Sequence, residues 1–386
     1  MNSIFSNLGT TIFETMSGLA VKYAAINLGQ GFPEGLEPAP LLEYLAACAQ
    51  AAPHQYPSMM GTMALRQAVA RHEHSYWGYQ PDPATEVMVT SGATEALAAS
   101  LLALIEPGDK VLVLEPLYDS YLPIIRRGGG VPVCVRLEAP YWTLPREPIE
   151  AAFRQGVKVL IVNSPTNPSG KVFSFDELRF LADLACRYDA TVISDEVYEH
   201  LTYDEQRHIP LSTLPGMAER TVKIGSAGKI FSVTGWKVGW IVAAPKLLGV
   251  IAKAHQFLTF TTPPMLQAAV AWGLDTQAEY YTTLATILAA RRDRLSLGLS
   301  GAGFSVLPAS GSYFLTADYL ALTTQPDDVA FCMQLVERVG VAAIPVSAFY
   351  AENIPTGSIR FCFAKTDQAI DEAVIRLQAW RDGGKC

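Results

Sequence analysis

Ile224-Gly225-Ser226-Ala227-Gly228-Lys229-Ile230-Phe231-Ser232-Val233-Thr234-Gly235-Trp236-Lys237-Val238-Gly239-Trp240 is the stretch from which the rest of the chain can be read. It leaves an apolar, β-rich segment at 221–224, crosses small residues, presents two lysines, Lys229 and Lys237, and re-enters an apolar segment at 238–244. Small residues let backbone come close to something, and the apolar flanks read as strands, so the stretch would deliver an amine into a packed site. A solvated lysine has a pKa of about 10.4 and is no nucleophile at neutral pH; burial or a neighbouring cation must lower it. The loop is too short for a helical crossover, which predicts that 238–244 runs antiparallel to 221–224.

Working outward, short β-branched runs alternate with helical stretches from Glu86 on: 87–90, 111–114, 131–137, 157–162, 190–194, then the two segments above. Each is apolar on successive positions, as strands covered on both faces are, which predicts an α/β fold with a mostly parallel seven-stranded sheet between helices. Reactive side chains follow the strands. Ser91-Gly92-Ala93-Thr94 comes after the first, Glu115-Pro116-Leu117-Tyr118-Asp119 after the second, and Asn163-Ser164-Pro165-Thr166-Asn167-Pro168-Ser169-Gly170 after the fourth. Asp195-Glu196-Val197-Tyr198 comes after the fifth and Ser226-Ala227-Gly228-Lys229 after the sixth. Open α/β sheets bind ligands at the carboxyl ends of their strands, so five segments should converge on one crevice.

Toward the ends the grammar differs. Residues 1–25 have weak periodicity and predict an arm, followed by a strand or turn at 26–33 and helices over 38–52 and through Leu65, Ala68, Val69 and His72. A long helical region runs from Ala244 to about Leu299. The remainder alternates strand-like pieces (304–307, 312–317, 341–344, 358–363) with helices over 327–339 and 367–381, the pattern of a smaller α+β domain. The expected division is an N-terminal arm with part of the small domain (1–45), a large domain (46–290) and a small C-terminal domain (291–386).

Composition narrows the function. At 386 residues the chain exceeds what one core comfortably fills, so two domains are expected. A net charge of −8, from 37 acidic and 29 basic side chains, disfavours nucleic acid or an anionic membrane as partner. Cys48, Cys134, Cys186, Cys332, Cys362 and Cys386 are scattered without Cys-x-x-Cys spacing; they predict reduced thiols in a cytoplasmic protein, with no disulfide framework and no metal site. The first fourteen residues lack Lys and Arg, so no basic start of a secretory leader is expected. Residues 254–274 carry no Asp, Glu, Lys or Arg, but His255, Gln256, Pro263-Pro264 and Gln267 predict a buried or interface segment, not a membrane helix.

Taken singly, the reactive residues have plain explanations. Ser91-Gly92-Ala93-Thr94 could be an ordinary helix start or, with Ser226 and Lys237, a phosphate cup. Asp195 either caps the next helix or, at the end of an apolar strand, faces a cation such as a protonated ring nitrogen. Tyr118 and Tyr198 would be core aromatics, Asn167 a turn residue and Arg360 half of a surface ion pair. Together, a phosphate cup, a stacking aromatic, an Asn and a Tyr for a phenolic oxygen, an Asp for a pyridinium nitrogen and a lysine for an aldehyde are what pyridoxal 5′-phosphate (PLP) requires.

On these residues the sequence resembles the class I and II aminotransferases of PLP fold type I, in particular the kynurenine/glutamine transaminase and bacterial methionine aminotransferase group. The resemblance runs from Leu8-Gly9-Thr10-Thr11-Ile12-Phe13 and Asn27-Leu28-Gly29-Gln30-Gly31-Phe32-Pro33 to Ile359-Arg360-Phe361-Cys362-Phe363-Ala364-Lys365. Asn167-Pro168-Ser169-Gly170, Asp195-Glu196-Val197-Tyr198, and Ser226-Ala227-Gly228-Lys229 with Thr234-Gly235-Trp236-Lys237-Val238-Gly239 carry it most specifically.

The resemblance implies that Lys229 is the Schiff-base lysine and, once released, the acid/base that moves the proton. It implies that Asp195 keeps the pyridine nitrogen protonated, that Asn167 and Tyr198 bond the 3′ oxygen, and that Tyr118 stacks on the ring. The phosphate would lie in the Gly92-Ala93-Thr94 helix start with Ser226 and Lys237, and Tyr56 would reach the phosphate of a neighbouring subunit, so a homodimer with shared active sites is implied. Arg360 would clamp the substrate α-carboxylate with help from Asn167 and the Gly31 backbone. Phe13 takes a side-chain pocket position, Tyr56 and Phe260 are expected to complete an aromatic pocket, and the segment around His255–Thr261 is expected to wall the partner's site. No second arginine is evident for a dicarboxylic substrate. The expected reaction moves the amino group of methionine, glutamine or an aromatic amino acid, kynurenine included, to a 2-oxo acid; the alternative is a PLP-dependent cysteine-conjugate β-lyase.

Overall fold

The apolar runs form the seven strands their patterning predicts. Side by side they lie as Val87–Thr90, Gly239–Ala243, Thr221–Ser226, Thr191–Asp195, Val157–Asn163, Lys110–Glu115 and Val131–Arg136. All neighbours are parallel except at Gly239–Ala243, which runs antiparallel to both strands beside it, as the short loop after Lys229 requires. The computed structural model describes residues 2–51, 53–323, 327–352 and 354–383. Ala52, the end of the expected helix 38–52, and Cys386 fall outside these; the other five cysteines are free thiols.

Continuous apolar strands imply burial on both faces, and successive side chains divide accordingly. Val111, Val113, Val159 and Ile161 enter one core cluster, while Leu112, Leu114, Leu160 and Val162 enter another. Each such side chain contributes about 1.5–3 kcal/mol of transfer free energy, so the sheet is held as a rigid centre. The small residues of the opening stretch have a packing reason: a Cβ on Gly225 would lie 2.3 Å from Nε1 of Trp240, its partner on the antiparallel strand. What comes close to that backbone is an indole, not a ligand.

The ends depart from expectation. The weakly periodic arm contains a helix, Ile12–Lys22, started by Thr11, whose hydroxyl accepts from the Glu14 amide. Only Met16 and Ala20 of that helix are buried, so its apolar stripe is too narrow to register as a period. The run 341–344, expected as one strand, splits: Val341–Ala342 pairs with Ile26–Asn27 in a parallel two-stranded sheet, while Ile344–Pro345 joins an antiparallel sheet with Ser358–Cys362, Phe314–Asp318 and Ser305–Val306. The long helical region is three helices, Pro245–Leu258, Pro264–Thr276 and Ala278–Gly301. The charge-free segment 254–274 is interrupted before Pro264, and no helix among the described residues is long and apolar enough to cross a membrane.

One strand is less apolar than it reads. Lys223, in the middle of Thr221–Ser226, is fully buried and donates to Glu73 Oε1 and Oε2 at 2.6 and 2.8 Å and to Glu199 Oε2 at 2.7 Å. Burial opposes its charge, but Glu199 and Glu73 outweigh that and hold it protonated. Glu199 also accepts from Trp77 Nε1, and Glu196 pairs with His208 at 2.7 Å. This buried network ties the segment after Asp195 to the helix Met63–Trp77.

Candidate active site

The carboxyl ends of the strands open on a cavity of about 470 Å³. Lining it are Phe13, Gly31, Gly92, Ala93, Thr94, Tyr118, Asn167, Asp195, Tyr198, Ser226, Lys229, Lys237 and Arg360; of the residues given a site role from the sequence, Tyr56 and Phe260 are absent from the lining. Tyr56 is 83% exposed and meets Phe260 edge to face, ring centroids 5.5 Å apart, on the surface. Within one chain, therefore, the expected aromatic pocket of Phe13, Tyr56 and Phe260 is not assembled; only Phe13 faces the cavity. His255, expected in an outward wall, is buried and bonded to Glu95 Oε1 at 3.0 Å and to the Met59 carbonyl at 3.1 Å.

Lys229 sits on the one-turn helix Ala227–Ile230 that begins as the strand Thr221–Ser226 ends. Its Nζ donates to Tyr313 Oη at 2.8 Å. Burial brings its pKa down to about 8; Arg360 and Lys237 push the same way, against Cys362 and Asp195. At pH 7 the neutral fraction thus rises from about 1 in 3,000 to about 1 in 10, the condition for a useful amine.

Asp195 ends the strand Thr191–Asp195 and is buried. Tyr121 Oη donates to its Oδ2 at 2.6 Å, and its Oδ1 has no partner. Burial pushes the carboxyl up to about 6, with the Tyr121 hydrogen bond opposing. An unpaired buried carboxylate oxygen costs about 1–3 kcal/mol or more, so this atom calls for a donor or cation in the cavity.

At one end of the cavity, Gly92 opens the helix Gly92–Leu104 with φ +78°, and a Cβ there would lie 3.5 Å from Lys237 Nζ. Glycine leaves free the space between helix start and ammonium in which an anion would sit. At the other end, Arg360 on Ser358–Cys362 is buried, donates to Asn167 Oδ1 at 2.8 Å and to the Gly29 carbonyl at 2.5 Å, and stacks over Phe314 at 4.0 Å. Its Nε has no partner, and burial lowers its pKa to about 10. Phe13 stands 5.4 Å from the same guanidinium.

Three contributors were missed in the sequence. Tyr121, three residues after Tyr118, was within reach of local reading; Asp119, which lines the cavity beside Arg360, sat in a quoted motif without a role. Tyr313 is 84 positions from the lysine it touches, and nothing in Ser312-Tyr313-Phe314 distinguishes it from a core aromatic.

Residues 24–377 match the family model described as aminotransferase class I and II. The chain is 43% identical over 379 residues to the probable N-succinyldiaminopimelate aminotransferase DapC of Mycobacterium tuberculosis, covering 95% of each. It is 40% identical over 371 residues to the methionine aminotransferase of Escherichia coli, covering 96% of each, and 35% identical over 404 residues to kynurenine–oxoglutarate transaminase 3 of Homo sapiens, covering 97% of this chain and 88% of the relative. The solved structure of the N-succinyldiaminopimelate aminotransferase from Mycobacterium tuberculosis superposes with a TM-score of 0.95 at 42% identity, over 98% of this chain and 99% of that one. An open α/β sheet, a buried amine among strand ends and a match spanning nearly the whole sequence lead to one conclusion: the chain belongs to the aminotransferase class I and II family and is a pyridoxal-phosphate-dependent aminotransferase of PLP fold type I.

Proposed function

We propose that this enzyme moves the amino group of methionine, glutamine or an aromatic amino acid, kynurenine among them, to a 2-oxo acid, with Lys229 as the covalent and proton-moving residue. The observation that carries the reading is the opening of a depressed-pKa amine, a carboxylate with one orphan oxygen and a buried guanidinium onto one cavity. These residues fit PLP: Asp195 Oδ1 for the ring nitrogen, Asn167 and Tyr198 for the 3′ oxygen, Tyr118 for the ring face, and Gly92, Ala93, Thr94, Ser226 and Lys237 for the phosphate. PLP, when bound, supplies an aldehyde for the amino group and a ring that accepts the Cα electron pair. Arg360 would hold the substrate carboxylate, and Lys229, opening on the same cavity, would take the Cα proton and return it.

Substrate choice follows from the lining. Besides Arg360, its cations are Lys229 and Lys237, both already given roles, while Phe13 and Phe314 are apolar and Asp119 is acidic. A distal carboxylate on the substrate would find no cation there among the described residues. A panel of donors tests this: methionine, glutamine, phenylalanine, tyrosine and kynurenine should each exceed aspartate and glutamate by at least about tenfold in kcat/KM. N-succinyldiaminopimelate belongs in the panel because of the 43% identical relative; its ranking first would overturn the neutral-pocket reading.

We take the working unit to be a homodimer in which exposed Tyr56 reaches the partner's phosphate. Mixing Lys229→Ala with Tyr56→Ala protein should then restore activity above either alone, because a hybrid holds one intact site; no gain on mixing rules out sharing. On the same reading, 46–290 form the cofactor-binding body and 291–386, with part of 1–45, the smaller one. The five free thiols support a reducing, cytoplasmic setting.

A further inference from the structure

Tyr313 is fully buried, immediately precedes the strand Phe314–Asp318, and has no part in the roles assigned above. Its hydroxyl donates to the Gly31 carbonyl at 2.7 Å and accepts from Lys229 Nζ at 2.8 Å. A phenol has one hydrogen to give; with it committed to Gly31, the oxygen is left as an acceptor facing the amine. The far end is pinned. A Cβ on Gly31 would lie 2.5 Å from Phe314 Cζ, so the Gly31 backbone packs against the residue next to Tyr313. Tyr198 closes the other side, edge to face with Tyr313 at 5.1 Å. A lysine side chain has four rotatable bonds and loses considerable freedom when one geometry is imposed, so a single fixed acceptor decides where its amine rests.

We propose that Tyr313 is a positioning residue that holds the free amine of Lys229 on the substrate side of the cavity, with the Gly31 carbonyl as its anchor. This rests on Lys229 being the reactive amine. Each time the amine is released from covalent attachment it has a fixed place to return to, between the substrate clamp and the strand end. The hydrogen bond also favours the ammonium form, because the oxygen accepts from nitrogen.

The test is Tyr313→Phe, which keeps the ring and its packing and deletes only the relay. Turnover should fall by about tenfold or more, while KM for the amino acid changes less than about threefold, since Arg360 is held by Asn167 and Gly29. The second readout needs no turnover: in full-length chain freed of cofactor, labelling of Lys229 by an amine reagent is followed against pH by peptide mass spectrometry. Its midpoint should move down by about one pH unit in Tyr313→Phe. Tyr203→Phe is the control, because Tyr203 bonds the Ser312 carbonyl next door at 2.5 Å and should move neither readout. Unchanged turnover and midpoint overturn the proposal, and so does lost turnover with an unmoved midpoint, the mark of a purely structural residue. Borohydride trapping of cofactor on a lysine other than Lys229 overturns both this proposal and the reading beneath it.

Discussion

Replacing Lys229 by alanine reduces turnover by at least about 10⁴-fold and leaves no cofactor adduct that borohydride can trap. Two losses combine. On the proposed roles the covalent attachment point disappears, and so does an amine that, at a pKa of about 8, can both take and return a proton near neutral pH. Lys237 does not substitute, because its ammonium lies beside Gly92 at the helix start, where the phosphate is proposed to sit. The variant should fold, since the cavity already contains space on that side and Tyr313 keeps its hydrogen bond to the Gly31 carbonyl. Covalent trapping of cofactor by this variant would show that another lysine does the work. Adding a small primary amine should restore a fraction of turnover, as expected when the missing element is a base in a cavity and not a structural prop.

Arg360→Ala is expected to lower kcat/KM by about 30- to 5,000-fold, equivalent to about 2–5 kcal/mol, and mainly through KM. The guanidinium is preset before substrate arrives: Nη1 on Asn167, Nη2 on the Gly29 carbonyl, its face on Phe314, and Nε unspent. A buried cation with unspent hydrogen-bonding capacity binds a carboxylate without reorganisation, and it is worth more than a surface pair because little water competes. Arg360→Lys should recover little, since a point ammonium cannot bond Asn167, Gly29 and a carboxylate with one planar fork. Kinetic constants unchanged in Arg360→Ala would remove the residue from the site.

The roles of Tyr121 and Tyr313 rest on contacts between segments far apart in the chain. Both phenols would pass as core aromatics, and in packing terms that is what they are; their hydroxyls acquire meaning only from partners 74 and 84 positions away. Lys223 makes the same point in reverse. A lysine in an apolar strand looks tolerable until it is seen to be sealed against two glutamates, one of them 150 positions distant. The split of 341–344 between two sheets is a further case: four apolar residues announce a strand but carry no information about which neighbour each pair of them will meet.

By itself the sequence determined the seven-stranded α/β sheet, the antiparallel turn-back after Lys229 and the gathering of reactive residues at strand ends, because each of these depends on local periodicity, loop length and chain direction. Only the tertiary structure decided that Asp195 keeps one oxygen unpaired, that Tyr56 and Phe260 meet edge to face, and that Lys229 is tethered through Tyr313 to Gly31. Those depend on distances between segments far apart in sequence, and hydrogen bonds of 2.6 to 2.8 Å are set by the packing of the whole core.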